Sequence, residues 1–215
     1  MNGDVFWTAS HVAGTVLMLS VLVAPGAALY MLVKDKNGPA IFGQPPHEWL
    51  RLVHDHPRPW RWATLSFLGA ILVTLFGLVL LAGLLRDARD PGFSAVGLAA
   101  FAVGAVLWVI HLAARLTIDP WAGKELLATG AIPQAYAPIS RWNGSLFSIF
   151  SILAFGGMLL FGAAILATPL LPAWLGWATV IYSLAGLALH TITGDSLPAM
   201  HHVMPLVIGL VLLLS

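Results

Sequence analysis

Long apolar runs alternate with short polar connections along the chain, and six of the runs are long enough to cross a bilayer as helices. A helix needs about 20 apolar residues to span about 30 Å of hydrocarbon. The predicted helices cover residues 5–33, 62–85, 93–118, 143–168, 173–192 and 198–215. This pattern predicts an all-α fold, a polytopic transmembrane six-helix bundle in which residues 1–215 form a single integral membrane domain.

Two connections, 34–61 and 119–142, are longer than the others. In the first, Pro46 is in a suitable position to open a short helix, because proline fits the first turn of a helix. The apolar face of this helix would carry Trp49, Leu50 and Val53, with Arg51 on the opposite face. An amphipathic segment of this kind is typical of a helix that lies in the headgroup layer.

Composition agrees with a chain that is dissolved in lipid. Hydrophobic residues make up 59% of the sequence and charged residues only 9%, whereas a soluble domain carries roughly 25% charged residues. The net charge of +1 gives no electrostatic reason to expect nucleic acid as a partner. The absence of cysteine excludes disulfides, thiolate metal sites and cysteine nucleophiles.

The distribution of basic residues predicts how the chain is oriented. The first and third connections, with the helix ends beside them, hold Lys34, Lys36, Arg51, Arg58, Arg61, Arg115, Lys124 and Arg141. The second connection holds only Arg86 and Arg89. Because cytoplasmic loops carry an excess of Lys and Arg, the first, third and fifth connections are expected inside a plasma (inner) membrane. Both termini are then expected outside.

Histidines concentrate on the predicted cytoplasmic side, where seven of the eight map. One interpretation is that they are scattered interfacial or capping residues. A second is a haem b site, because two imidazoles from different helices can hold the iron; its candidates are His111, His190 and His201. A third is a transition-metal site, since imidazole and carboxylate both bind such ions; its candidates are His54, His56, His201, His202 and Asp195.

An ionisable pair, His111 and Arg115, lies inside the third predicted helix. Trp108, His111, Arg115 and Asp119 recur on one face of that helix. Ionisable residues within a membrane helix usually face the bundle interior or a wet cavity. The alternative is that Arg115 extends to the inner phosphates and His111 bonds a neighbouring carbonyl.

The turn at 193–198 (TGDSLP) has an ordinary structural interpretation. Gly194 can end the fifth helix in a left-handed cap. Asp195 or Ser196 would then cap the sixth helix.

Parts of the chain resemble a known pattern. The stretches FWTASHVAGTVLML (6–19), LPAWLGW (171–177) and TGDSLPAMHHVMPLVIGLVLLL (193–214) resemble uncharacterised bacterial six-helix multi-pass membrane proteins. The resemblance covers about a third of the chain. It implies the architecture and a bacterial plasma membrane, and it brings no established activity or catalytic residue.

Three functions are compatible with the sequence. The leading hypothesis is an accessory, sensory or structural membrane component without catalysis of its own, with the lipid bilayer and other membrane subunits as partners. Phosphate-cradling glycine loops, G-x-S-x-G elbows and H-E-x-x-H helices are absent from the sequence. The alternatives are a metal- or haem-binding redox protein with its histidine site at the cytoplasmic face, and a small-solute transporter.

Overall fold

The computed structural model describes residues 8–20 and 45–215, which form seven helices without a strand among them. The helices are α1 (Ala9–Ser20), α2 (Pro46–Asp55), α3 (Pro57–Asp87), α4 (Phe93–Thr129), α5 (Tyr136–Ala167), α6 (Ala173–Thr193) and α7 (Met200–Leu214). The all-α class is therefore confirmed for the described part of the chain. Lys34, Lys36 and much of the first predicted helix lie outside the described residues.

Four helices, α3 to α6, are long and apolar enough to cross a membrane. They contain 31, 37, 32 and 21 residues. Two further apolar helices, α1 and α7, are shorter over the described residues. By length and composition, these helices indicate a membrane protein.

The prediction of a long connection over 119–142 is wrong, because α4 continues to Thr129 and α5 already begins at Tyr136. Pro120 lies inside α4, where it removes one backbone hydrogen bond. The extension is nevertheless well packed, since α2 lies directly against it. A Cβ atom on Gly123 would stand only 2.7 Å from the carbonyl oxygen of Leu50. Tertiary packing thus extends a helix that the local sequence would end.

The predicted amphipathic helix after Pro46 is confirmed as α2. Leu50 and Val53 are buried, Trp49 is half-buried and Arg51 is exposed. Its buried face packs on the C-terminal part of α4 and forms a small second core. The members of that core are Leu50, Ala122, Leu126 and Tyr136.

The main core is built around α5, which packs against α4 on one side and α6 on the other. Gly97 of α4 and Gly157 of α5 lie at the closest approach of their helices. A Cβ atom on either glycine would be 2.7 Å from the carbonyl oxygen of the other. Small residues allow membrane helices to approach in this way. The bulkiest fully buried side chains are Phe101, Phe150, Phe155 and Phe161.

Two ends of the bundle are distinguished below. The α2 end contains α2, the C-terminal part of α4, the start of α5 and the α6–α7 connection at 194–199. The far end contains the α3–α4 and α5–α6 connections, at 88–92 and 168–172. Exposed tryptophans occur at both ends: Trp62, Trp121 and Trp142 at the α2 end, and Trp174 and Trp177 at the far end. Between them the outer faces expose apolar residues such as Phe76, Val96 and Ile181.

Candidate functional site

A charged and aromatic cluster, which we call the arginine cage, lies at the α2 end. Its members are Trp49, Trp60, Arg115, Asp119 and Tyr136, contributed by α2, α3, α4 and α5. The guanidinium carbon of Arg115 lies 4.8 Å from the ring centre of Trp49 and 4.7 Å from that of Trp60. Cations within about 6 Å of an aromatic face are attracted by the ring quadrupole.

Within the cage, two residues of α4 form an ion pair. Arg115 Nε lies 3.6 Å from Asp119 Oδ2, and the two side chains are 20% and 10% exposed. Tyr136 donates its hydroxyl hydrogen to Asp119 Oδ1 at 3.2 Å, and Trp60 Nε1 donates to the backbone carbonyl of Arg115 at 3.2 Å. In the structure Arg115 is therefore turned toward the bundle interior, while His111 Nδ1 bonds a neighbouring carbonyl, as the alternative interpretation expected.

Two tryptophans at the α2 end pack within the cage rather than on the exposed surface of the bundle. Trp60 is 5% exposed and Trp49 is half-buried. Their rings meet edge to face, with centres 4.6 Å apart. Both therefore hold Arg115, whereas Trp62, Trp121 and Trp142 remain exposed as an interfacial belt would be.

Beside the cage is a cavity of about 190 Å³, which we call the α2-end cavity. It is lined by Trp108, His111, Arg115, Phe147, Asp195, Ser196 and Pro198. The α4 face predicted from sequence supplies the first three of these side chains. The α6–α7 connection supplies the last three, so that a cationic and an anionic group border the same space.

The three histidines proposed as haem ligands are brought together around one side chain. The ring centre of Phe147 lies 5.7 Å from that of His111, 6.1 Å from that of His190 and 6.2 Å from that of His201. His111 Nδ1 lies 3.0 Å from the Asn143 carbonyl, and His201 Nδ1 lies 3.2 Å from the Pro198 carbonyl. A carbonyl oxygen can only accept a hydrogen bond, so Nδ1 is the donor in both histidines. In the neutral imidazole, Nε2 is then the nitrogen that can accept a hydrogen bond.

This arrangement does not fit a haem. A porphyrin held by any two of the three imidazoles would need the space that the phenyl ring of Phe147 fills. Two more aromatic rings enclose His201. The ring centre of Phe150 lies 4.7 Å from that of His201, and the ring centre of Phe155 lies 4.6 Å from it. The three residues were proposed from sequence as alternative ligands, and in the structure their packing is that of an aromatic cluster.

The residues proposed for a metal site are not brought together. Over residues 8–20 and 45–215, no group of three or more His, Asp or Glu side chains is arranged to hold a metal ion. His54, in the last turn of α2, and His56, directly after that helix, are exposed. His201 and His202, although adjacent, face different helices: His201 faces α5, whereas His202 Nδ1 lies 3.0 Å from Thr74 Oγ1 of α3.

The turn before α7 differs from its sequence prediction in one respect. Gly194 does end α6 in a left-handed conformation, with φ of 71°, and its N–H bonds the His190 carbonyl. The prediction that Asp195 or Ser196 caps α7 is wrong, because that helix begins only at Met200 and has no side-chain cap. Instead, Asp195 Oδ1 accepts the N–H of Ser196 at 2.7 Å. The exposed Asp195 therefore remains available to the cavity.

Sequence reasoning missed four residues of this region: Trp60, Tyr136, Asn143 and Phe147. Trp60 and Phe147 carried no distinguishing signal in so apolar a chain. Tyr136 lies in the predicted connection over 119–142, and Asn143 is the first residue of the fourth predicted helix, where no pattern marks it as part of a site. Two sequence patterns point toward the cage: the amphipathic pattern of α2, with Trp49 beside Leu50 and Val53, and the α4 face that carries Arg115 and Asp119.

The described residues thus define an all-helical membrane protein with a polar site at one end. Comparison of the chain with protein-family models, with curated proteins and with solved structures found no match. The function must therefore be inferred from the site itself.

Proposed function

We propose that this chain is a six-helix integral protein of a bacterial plasma membrane and that it acts as a sensory component. In this proposal α1 and α3 to α7 cross the bilayer, and the α2 end faces the cytoplasm. A small polar molecule binds in the α2-end cavity, and its binding is passed to α2. The bilayer is the immediate partner, and other membrane subunits would receive the signal.

The membrane arrangement is supported by the exposed surface and by charge. Exposed apolar side chains on the long helices lie between two sets of exposed tryptophans, as expected for lipid and its two interfaces. Basic residues are more numerous at the α2 end, where Arg51, Arg58, Arg61, Lys124 and Arg141 lie. The far end holds Arg86 and Arg89, so the positive-inside rule favours a cytoplasmic α2 end.

The sensory role is supported by one observation: Arg115 belongs to both the cavity wall and the cage. Its side chain lines the α2-end cavity and also contacts Trp49 of α2. A ligand that bonds the guanidinium competes with its attraction to Trp49 and Asp119. Binding would therefore change how firmly α2 is held on α4, which is a differential contact of the kind a switch needs.

Ligand binding is tested on the purified protein in lipid nanodiscs. A library of small polar molecules is screened for a rise in the unfolding temperature, since a ligand at 100 times its Kd stabilises the folded state by about 2.7 kcal/mol. Ser196→Met, which fills the cavity, should abolish the shift. Ser145→Met, at an exposed position of α5 at the same end, is the control. A shift that persists in Ser196→Met would contradict the cavity as the site.

Signal transfer is tested by hydrogen exchange of residues 46–55. Saturating ligand should change the exchange rate of α2 amides while leaving the far-end segment 86–92 unchanged. Unaltered exchange in α2 with the cavity occupied would contradict the sensory role and leave an accessory one. An absorption spectrum and metal analysis of the same sample test the redox alternative, and uptake by reconstituted vesicles tests the transporter alternative.

A further inference from the structure

We infer that the α2-end cavity accepts a compact zwitterion, with its anionic group at Arg115 and its ammonium group at Asp195. This inference rests on the proposed ligand-binding function and specifies the chemical class of the ligand. The two charged side chains come from separate parts of the fold, α4 and the α6–α7 connection.

Arg115 offers its free edge to an anion. The rings of Trp49 and Trp60 lie together on one side of the guanidinium, since their centres are 4.6 Å apart and 4.8 Å and 4.7 Å from its carbon, and Nε is directed to Asp119. The terminal nitrogens carry the remaining donors of the group, which suit a carboxylate or phosphate. Because Arg115 also lines the cavity, these donors are the ones that a ligand can reach.

Asp195 provides the opposite charge. A local turn fixes it, since Thr193 Oγ1 donates to the Asp195 carbonyl at 2.7 Å and Asp195 Oδ1 accepts the Ser196 N–H at 2.7 Å. No ion pair with Asp195 is formed within residues 8–20 and 45–215. The aromatic rings of Trp108 and Phe147 line the same space, and such rings also attract an ammonium group.

Because Arg115 and Asp195 border the same cavity, a ligand that carries a single charge is disfavoured. A simple anion at Arg115 would face the carboxylate of Asp195, and a simple cation at Asp195 would face the guanidinium. A zwitterion pairs both groups at once. The volume of about 190 Å³ is slightly larger than that of a cavity of about 150 Å³ that holds benzene. The ligand is therefore the size of a small amino acid, a betaine or a phosphoethanolamine group.

The same chemistry is supplied by two sources, a dissolved zwitterion or the headgroup of phosphatidylethanolamine. Two preparations distinguish them: nanodiscs of pure phosphatidylglycerol and nanodiscs that contain phosphatidylethanolamine. If a dissolved compound binds equally in both, the source is the aqueous phase. If phosphatidylethanolamine weakens its binding at least tenfold, the headgroup occupies the site. Either result supports a zwitterion site.

The test compares zwitterions with their singly charged halves in phosphatidylglycerol nanodiscs. Glycine, γ-aminobutyrate, glycine betaine and phosphoethanolamine are titrated beside propionate, propylammonium and a neutral amide, with the tryptophan fluorescence of the cavity as readout. Trp108→Phe, which removes the reporter, identifies that signal. At least one zwitterion should bind ten times more tightly than either half.

Asp195→Asn is the decisive variant, because the exposed turn tolerates it without loss of fold. It should weaken zwitterion binding at least tenfold and leave propionate binding equal or tighter. Asp87→Asn, an exposed aspartate at the far end, should change neither. Binding of singly charged compounds alone, or zwitterion binding that is unchanged in Asp195→Asn, would overturn the inference and leave the proposed function standing. If no compound of any charge class binds, both fail.

Discussion

At the far end an arginine and an aspartate are neighbours in solvent, whereas at the α2 end the same two residue types are enclosed. Arg86 and Asp87 are 81% and 76% exposed, with Nε and Oδ1 3.8 Å apart. Arg115 and Asp119 are 20% and 10% exposed, at 3.6 Å. Exposed pairs contribute about 0–1 kcal/mol, while an enclosed pair carries a desolvation cost that often cancels its attraction.

The two ends also differ in how their polar groups are satisfied. At the far end Asp90 is used locally: its Oδ2 accepts the N–H and the hydroxyl of Ser94, at 2.8 Å and 2.6 Å. At the α2 end the polar groups of four helices meet around a cavity, and Asn143 Oδ1 and His190 Nδ1 are buried without a partner among the described residues. The polar groups of the far end are therefore satisfied locally, whereas the α2 end has a cavity and, over the described part of the chain, buried polar atoms without partners.

Arg115→Met should produce the largest loss of stability. The substitution leaves the Asp119 carboxylate without its partner in an enclosed site, which costs about 3–5 kcal/mol. Arg86→Met, the matched change at the far end, should cost at most about 1 kcal/mol. Unfolding by sodium dodecyl sulfate in mixed micelles measures both. Adding Asp119→Leu to Arg115→Met should recover part of the loss. Equal effects of the two arginine variants would contradict the contrast between the ends.

Gly123→Ala should detach α2 with a smaller cost, of about 1–3 kcal/mol. The new methyl group would lie 2.7 Å from the Leu50 carbonyl oxygen, so α2 must move away from α4. Gly144→Ala is the control at the same end, since nothing lies within 4 Å of its Cβ position; it should be neutral or stabilise α5 by up to about 1 kcal/mol. Proteolysis within 45–56 reports the detachment. Equal cleavage of the two variants would show that α2 does not depend on this contact.

Asp90→Ala should lower stability by about 1 kcal/mol, the usual effect of losing a helix cap. The loss should be confined to the start of α4, as measured by hydrogen exchange of residues 93–97. It should leave ligand binding at the α2 end unchanged. An effect of Asp90→Ala on ligand affinity would mean that the two ends are coupled rather than separate.

The smallest expected effect is a change in how the stability of the protein depends on pH. Burial raises the pKa of Asp90, but the hydrogen bonds from Ser94, Gly92 and Phe93 outweigh it, so the pKa lies below 3.8. A carboxyl group with a lowered pKa stabilises the folded state above its unfolded pKa and loses that contribution as the pH falls through the folded value. Asp90→Asn should therefore show a stability difference from the unchanged protein at pH 7 that shrinks below about pH 4. A difference that is constant with pH would contradict this role.

Much of the helical pattern was predictable, because long apolar runs leave a chain few alternatives. The one-sided placement of His111, Arg115 and Asp119 was also visible, since it depends only on helical periodicity. The extension of α4 to Thr129 was not, because it depends on α2 packing against a segment that contains Pro120. The cage and the place of Asp195 at the cavity required knowledge of which helix ends meet, and no periodicity within one helix contains that information.

The central claim is that a water-accessible polar site lies at the α2 end and opens to one side of the membrane. The chain has no cysteine, so single-cysteine variants give an unambiguous labelling signal. Ser196→Cys in the cavity, His54→Cys in the last turn of α2 and Arg89→Cys at the far end would be treated in sealed vesicles with a membrane-impermeant thiol reagent. We predict that the first two react from the same side and Arg89→Cys from the other. Labelling of Ser196→Cys from the side of Arg89→Cys, or no labelling of it from either side, would contradict the account.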